Sequence, residues 1–316
     1  MNENSRIFVC GHAGLIGSAI MRRLQSDGYT PITAPRGQLD LQDAARLTDF
    51  FEDKRPEYVV LAAGRVGGIV ENQTSPADFM DENIAIQLNV LKAARKVDVK
   101  KLILFGSSCM YPRVCAQPMA EDVLLSAKPE PTSLPYAIAK LAGTYMCLAY
   151  NKQYGDRRFI PLIPNSAYGP NDNFNPQSGH VLSSLMARFH QAKVSGAERV
   201  ALWGTGSPCR EFIHADDIAD ACLHVLQHDL DGIDLPLNLG VGYDISIRDL
   251  ATKIAGVVGY TGILDWDTSK PDGAPRKLLD STRLRSTGWA PKTGFDEGLR
   301  DTYAWYLQHA QQLQAS

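Results

Sequence analysis

Tyr136 and Lys140 stand four residues apart in Tyr136-Ala137-Ile138-Ala139-Lys140, a spacing that sets a phenol and an ammonium on one face of a helix. Beside a nicotinamide, a lysine one turn from a tyrosine lowers the phenol's pKa and holds the ribose. The tyrosine can then give or take a proton as a hydride moves. Ser107 comes earlier, in Phe105-Gly106-Ser107-Ser108-Cys109, and its hydroxyl can hydrogen-bond the same carbonyl oxygen. A third group of residues lies near the start of the chain. Gly11-His12-Ala13-Gly14-Leu15-Ile16-Gly17 is a GxxGxxG turn, which lets a backbone approach a pyrophosphate closely and seat it on a helix N-terminus. An NAD site would carry an acidic residue at the end of the second strand. Here Thr33-Ala34-Pro35-Arg36 ends in a cation, which suits the 2′-phosphate of NADP. Asp40, in Leu39-Asp40-Leu41, is expected nearer the adenine edge.

These residues need a scaffold, and the apolar pattern supplies one. Strands are predicted over 7–10, 31–33, 58–62, 101–105 and 159–163, with helices over 16–27, 44–53, 78–96 and 135–155. Alternation of this kind means an α/β fold: a Rossmann-type, doubly wound parallel sheet with helices on both faces. Strands such as Val59-Val60-Leu61 and Leu102-Ile103-Leu104 are continuously apolar, as strands covered on both sides are. The glycine turn then follows the first strand, Ser107 closes a later one, and Tyr136 begins a helix. After about residue 165 the pattern loosens into loops rich in Pro, Asn and Gly, with strands predicted over 200–203 and 237–239. The division expected is a dinucleotide-binding domain over 1–165, with some later segments returning to it, and a smaller α/β substrate lobe over 166–316.

Composition narrows the class. Among 316 residues, 44% are hydrophobic and 21% charged, and the net charge is −3. That is ordinary globular chemistry, with no basic stripe for nucleic acid. No apolar run is long enough to span a bilayer, and the N-terminus lacks a signal-type segment. The six cysteines are scattered without a CxxC pair, which argues against a disulfide framework or a zinc site and for a cytoplasmic protein. No metal is expected.

Together the glycine turn, Ser107 and Tyr136-x-x-x-Lys140 resemble the extended short-chain dehydrogenase/reductase family, whose serine, tyrosine and lysine match these three. Longer strings resemble the branch that acts on GDP-4-keto sugars. They are Gly106 to Pro112, Gln117-Pro118-Met119-Ala120-Glu121, Val66-Gly67-Gly68-Ile69, Pro76-Ala77-Asp78-Phe79, and Tyr168-Gly169-Pro170 leading to Asp172-Asn173-Phe174. Arg210-Glu211-Phe212, Ser269-Lys270-Pro271-Asp272-Gly273 and Pro275 to Asp280 continue the match.

The resemblance implies epimerisation of GDP-4-keto-6-deoxy-D-mannose at C3 and C5 and reduction at C4 with NADPH, giving GDP-L-fucose. It implies Cys109 as the base for an α-proton and His180 as the acid that returns one. A thiol suits that task because a nearby cation can hold it as thiolate. Cofactor contacts are implied for the glycine turn, Arg36, Leu39, Asp40, Leu41, Ala62, Ala63, Gly64, Phe105, Gly106, Ser107, Ser108, Tyr136, Lys140, Pro164, Asn165, Ser166, Ala167 and His180. Substrate contacts are implied for Ser108, Cys109, Arg188, Trp203, Arg210, Asp272 and Lys277, the cations being suited to a pyrophosphate. A homodimer built on a four-helix bundle is implied as well. The helix over 135–155 carries more apolar side chains (Leu141, Met146, Leu148, Tyr150) than one buried stripe needs.

Two features depart from the family pattern. Ala13 replaces a second arginine of the glycine turn, which leaves one cation for the 2′-phosphate. Asn165-Ser166 replaces a Thr-Asn pair near the nicotinamide. Two alternatives stay open: the same chemistry, or 4-reduction alone, on a related sugar of the GDP-colitose or deoxyheptose type, and a dinucleotide-sensing protein without catalysis. The complete serine, tyrosine and lysine set speaks against the second.

Overall fold

Along β1 (Ile7–Cys10) the side chains alternate between two faces, and both faces are packed, so every residue of the strand is buried. The computed structural model describes residues 1–270 and 272–315, apart from the side chains at 69, 70 and 311–315. The chain continues through α1 (Leu15–Ser26), α2 (Ala44–Lys54), β2 (Tyr58–Leu61), α3 (Ile69–Thr74), α4 (Pro76–Lys96), β3 (Lys101–Phe105), α5 (Leu134–Tyr154) and β4 (Phe159–Pro164). Then come β5 (Ser166–Tyr168), α6 (Val181–Ser195), β6 (Arg199–Trp203), β7 (Cys209–Arg210), β8 (Phe212–His214), α7 (Ala215–Gln227) and β9 (Leu237–Leu239). The last elements are β10 (Ile245–Ser246), α8 (Ile247–Val258), β11 (Ile263–Asp267), β12 (Arg276–Lys277), α9 (Thr282–Arg285) and α10 (Phe295–Ala315).

The main sheet runs β1-β2-β3-β4-β9, with every pair parallel. Ile7, Val9, Tyr58, Val60, Ile103 and Phe105 face one core, against α1 and α7. Phe8, Val59, Leu61, Leu102 and Leu104 face the other, against α2, α4 and α5. Each large side chain buried this way contributes about 1.5–3 kcal/mol. Parallel strands need crossover helices, which brings the strand ends Cys10, Leu61, Phe105 and Pro164 to one edge.

The sequence expectation fails at one element. The strand over 31–33 shrinks to a bridge between Ile32 and Phe8, with Ile32 exchanging hydrogen bonds with Ile7 and Val9. Pro35 opens a turn whose carbonyl accepts the Gln38 and Leu39 amides at 2.8 and 3.0 Å, so the chain leaves β1 after one paired residue. The stretch over 237–239 forms β9 and lies in the main sheet beside β4, and α7 packs on α1. A separate core joins α6, α8 and α10 through Leu182, Met186, Phe189, Leu250, Ile254 and Tyr306. Near it lie three small sheets, β10-β7-β12, β11-β6 and β5-β8. Among the described residues no helix is long and apolar enough to cross a membrane.

Candidate active site

The glycine turn carries two kinds of glycine. Gly11 has φ +80°, and a Cβ on it would lie 2.7 Å from the Ala63 nitrogen. A Cβ on Gly17 would fall 2.0 Å from the Gly11 oxygen. The fold itself demands those two. Gly14 differs, because the nearest atom to a Cβ there is 3.7 Å away. It begins α1 with no side-chain cap, and no acidic residue sits in the first turn. That bare helix end presents amides to an anion, and the missing side chain at Gly14 leaves the backbone open to close approach. His12 adds a buried Nδ1 without a partner among the described residues. These donors fit a dinucleotide pyrophosphate.

Further out, Arg36 is exposed, with Glu82 at 3.9 Å. Glu82 is held more tightly by Arg65, at 2.7 Å. Asp40 accepts the Gln42 amide at 3.0 Å, Leu39 is buried in the core beside α2, and Leu41 packs at its edge. Ala62 donates its amide to the Cys10 carbonyl at 3.0 Å, which keeps Ala62-Ala63-Gly64 level with the glycine turn.

At the next strand end, Ser107 caps a short 3-10 turn over Ser108–Met110 and accepts the Cys109 amide at 3.2 Å. Gly106 packs under it, since a Cβ there would meet Met110 Cε at 2.8 Å. Ser108 is buried and Cys109 half-buried. Tyr136 and Lys140 share one face of α5, with Lys140 Nζ 5.8 Å from the Tyr136 ring centroid. Lys140 donates to the Phe105 carbonyl at 3.0 Å, and burial pushes its pKa down to about 8. The phenol does not behave as the YxxxK spacing suggested. Burial pushes its pKa up, the Cys109 charge adds to that, and the Ser107 hydrogen bond only partly offsets it. The lysine's proton is directed at a carbonyl rather than at the phenol, so desolvation prevails. A phenol that stays protonated is the form that can donate to an oxyanion.

The Ser107 hydroxyl draws the pKa of both the Tyr136 phenol and the Cys109 thiol downward. Burial opposes ionisation of Cys109. Lys277, the hydroxyls of Ser107 and Ser133, and His180 together overcome it, and the thiol lies below its ordinary range. All six cysteines are free, and burial pushes Cys10, Cys115, Cys147 and Cys222 the other way. His180 lies just before α6, with Nδ1 3.7 Å from the buried Asp172 carboxylate. Asp172 and then the Cys109 charge raise its pKa, so the imidazolium persists to higher pH than usual. A thiol biased toward thiolate thus sits near an imidazole biased toward imidazolium.

The cations expected at the substrate are placed unevenly. Arg210 of β7 and Lys277 of β12 are direct partners in a parallel pair, and both act electrostatically on Cys109. Arg188 on α6 donates to the Ala201 carbonyl of β6, two residues before Trp203. Trp203 ends β6 and is 68% exposed, so it is not a core residue. Asp272 accepts from the Thr205 amide at 3.0 Å and its hydroxyl at 2.8 Å, which ties that loop beside Trp203. Pro271, part of the matching string, lies outside the described residues.

Asn165 follows Pro164 at the end of β4, and its side-chain nitrogen bonds Glu211 at 2.6 Å and the Lys277 carbonyl at 3.3 Å. Its oxygen caps the Ser166 amide, so the side chain joins the two sheets there, with Ala167 following in β5.

Sequence reasoning overlooked four functional neighbours. Asp172, eight residues before His180, orients that imidazole. Ser133 lies beside the thiol. Arg65 doubles the cationic charge around Glu82. Glu211 is fully buried and accepts the amides of Gly242 at 2.7 Å and Leu279 at 2.9 Å. Only Asp172 and Glu211 gave a signal, as acids inside otherwise motif-rich strings. Among the described residues no group of His, Cys, Asp and Glu is placed to hold a metal.

A family model, NAD dependent epimerase/dehydratase family, matches residues 7–240. GDP-L-fucose synthase 1 of Arabidopsis thaliana is 50% identical over 98% of this chain and 95% of its own length. GDP-L-fucose synthase of Escherichia coli (strain K12) is 46% identical over 97% of this chain and 98% of its own. Among solved structures, a GDP-mannoheptose C4 reductase from Campylobacter jejuni with NADP bound superposes with a TM-score of 0.89. It is 35% identical and covers 97% of this chain and 99% of that one.

Proposed function

The chain belongs to the NAD dependent epimerase/dehydratase family, and from that premise we propose that it converts GDP-4-keto-6-deoxy-D-mannose to GDP-L-fucose. In this reading it inverts C3 and C5 and then reduces the C4 ketone with NADPH. One observation carries it: Ser107 accepts the Cys109 amide at 3.2 Å and its hydroxyl acts on both the Tyr136 phenol and the Cys109 thiol, so acid for reduction and base for epimerisation flank one site. Identity to the two fucose synthases is higher than to the heptose reductase, and the thiol–imidazole pair has work to do only where an α-proton is moved.

The steps assigned to this chain's residues are these. Cys109 thiolate takes the proton from the carbon beside C4, and the electron pair of that bond moves into the enolate. Ser107 and Tyr136 hydrogen-bond the enolate oxygen. His180, protonated and held by Asp172, gives a proton to the opposite face. Between the two inversions the Cys109 thiol gives up its proton and His180 takes one, both by exchange with solvent. Once both centres are inverted, Tyr136 donates its proton to the C4 oxygen during reduction, and Lys140 steadies the site through the Phe105 carbonyl. Bound NADPH supplies the hydride. Arg210 and Lys277 hold the pyrophosphate with Ser108 beside the sugar, Arg188 extends the cationic side, and Trp203 and Asp272 frame the guanine.

The test follows the reacting carbons. With GDP-4-keto-6-deoxy-D-mannose and NADPH in deuterated water, the product is GDP-L-fucose with solvent deuterium at C3 and C5. NADPH is preferred over NADH, by a modest margin because Ala13 leaves Arg36 to meet the 2′-phosphate. A reduced D-sugar without deuterium would assign the chain to simple 4-reduction instead.

We also place the enzyme in the cytoplasm as a homodimer joined by α4 and α5. The residues that support the dimer differ in part from those first singled out, of which the half-buried Leu148 lies outside the core clusters. Leu141 is buried, and Met146 and Tyr150 pack on the core beside the sheet. The surplus apolar face of α5 is Ile138 and Tyr145, 37% and 40% exposed. They fall on one stripe with Ala142 and Ala149, against which a second copy can pack. Light scattering at micromolar concentration should give the mass of two chains; the mass of one would refute this interface.

A further inference from the structure

We propose that Lys277 is a positioning residue for epimerisation, acting through Cys109: its ammonium, 3.7 Å from Sγ, holds the resting thiol as the thiolate before substrate arrives. The inference rests on the reading of Cys109 as the base. It adds to Lys277 a task separate from gripping pyrophosphate.

The geometry around Lys277 is fixed from two sides. On one, β12 pairs with β7: Cys209 donates its amide to the Pro275 carbonyl at 2.9 Å, and Glu211 donates to the Lys277 carbonyl at 3.2 Å. Asn165 bonds the same carbonyl, and the buried Glu211 carboxylate accepts the Leu279 amide two residues on. On the other side the segment following Cys109 reaches back. Gln117 accepts the Leu278 amide at 2.9 Å, Met119 donates to the Leu278 carbonyl at 2.7 Å, and Asp280 donates to the Met119 carbonyl at 2.9 Å. The lysine's backbone is therefore pinned to the thiol's own loop and to the second lobe together. That anchoring fixes where the side chain starts, so that only its own rotors remain to be ordered beside Sγ.

The other charged or titratable groups near the thiol are Arg210 of β7, His180 ahead of α6 and Tyr136 of α5; Ser107 and Ser133 add hydroxyls. Tyr136 brings no positive charge. Arg210 aims Nη1 at its neighbouring Cys209 carbonyl at 2.7 Å, and His180 shares its charge with Asp172. Lys277 is thus the cation in direct contact with sulfur. Its influence on Cys109 exceeds that of His180.

The test reads the thiol alone, in enzyme without substrate or cofactor. Iodoacetamide labelling of Cys109, followed by peptide mass spectrometry across pH, gives its titration midpoint. Lys277→Gln should raise that midpoint by about one unit or more, and labelling at neutral pH should slow several-fold, since the thiolate is the nucleophile. Lys277→Arg should keep the midpoint near that of the parent. In turnover, the acid limb of solvent-deuterium exchange should move to higher pH in Lys277→Gln. If Lys277 only grips pyrophosphate, Lys277→Gln would raise KM and leave the resting midpoint unchanged, and the proposal fails. It fails too if the parent thiol titrates as an ordinary cysteine. A Lys277-dependent thiolate in an enzyme that exchanges no sugar protons would instead overturn the functional reading, and with it the role in epimerisation, while the hold of Lys277 on the thiolate stood.

Discussion

Replacing Tyr136 with phenylalanine should cut C4 reduction by roughly 10²–10⁴-fold, the usual cost of removing a general acid. The phenol is half-buried and its pKa is raised, so it is protonated throughout the neutral range and ready to donate. The groups closest to the phenol are poor replacements, and His180 is assigned to the opposite face of the sugar. Cys109 is biased toward the anion, Lys140 is committed to the Phe105 carbonyl, and Ser107 is a far weaker acid. The ring keeps its edge-on packing against Phe79, 6.3 Å between centroids, so fold and NADPH binding should survive in Tyr136→Phe. Deuterium exchange beside the ketone should also persist, because Cys109 and His180 are untouched. Loss of NADPH oxidation with continued exchange is the expected pair of results. Oxidation at the parental rate would mean that another group donates the proton.

Much of this was legible before any coordinates. The parallel sheet could be read from runs such as Val59-Val60-Leu61, because burial on two faces leaves no room for polar positions. The glycine turn, Ser107, Tyr136 and Lys140 were legible because their order along the chain maps directly onto strand ends and one helix face. What stayed hidden depends on contacts between distant segments. The pairing of Lys277 with Cys109 joins β12 to the loop after β3, and nothing local announces it. Glu211 reads as one more acid until its three amide-type donors, from β4, the turn after β9 and the stretch after β12, are seen together. The strand at Ile32 was misjudged for the opposite reason. Local β-propensity was good, but the turn at Pro35 takes the chain away from β1 after one residue.

The sharpest separation of the two chemistries comes from Cys109→Ser. A hydroxyl of nearly the same size keeps the 3-10 turn and its Ser107 cap, but it is a much weaker acid than a thiol. Even with Lys277 at 3.7 Å, it cannot supply the anion at neutral pH. Exchange at C3 and C5 should therefore fall by orders of magnitude, to the level of the unassisted ketone. Tyr136, Ser107 and Lys140 remain, so the unepimerised keto sugar is still reduced, slowly, to a product that keeps the D-configuration of its parent. His180 variants should behave differently. Cys109 can still withdraw a proton there, but its return to the far face is slowed, so a sugar inverted at one centre should accumulate. Solvent deuterium uptake by mass spectrometry, read beside the identity of the reduced sugar, distinguishes these outcomes. Should Cys109→Ser exchange fully and yield the L-sugar at the parental rate, the thiol is a packing residue. Lys277 and His180 would then be charged neighbours of a group with no part in the reaction.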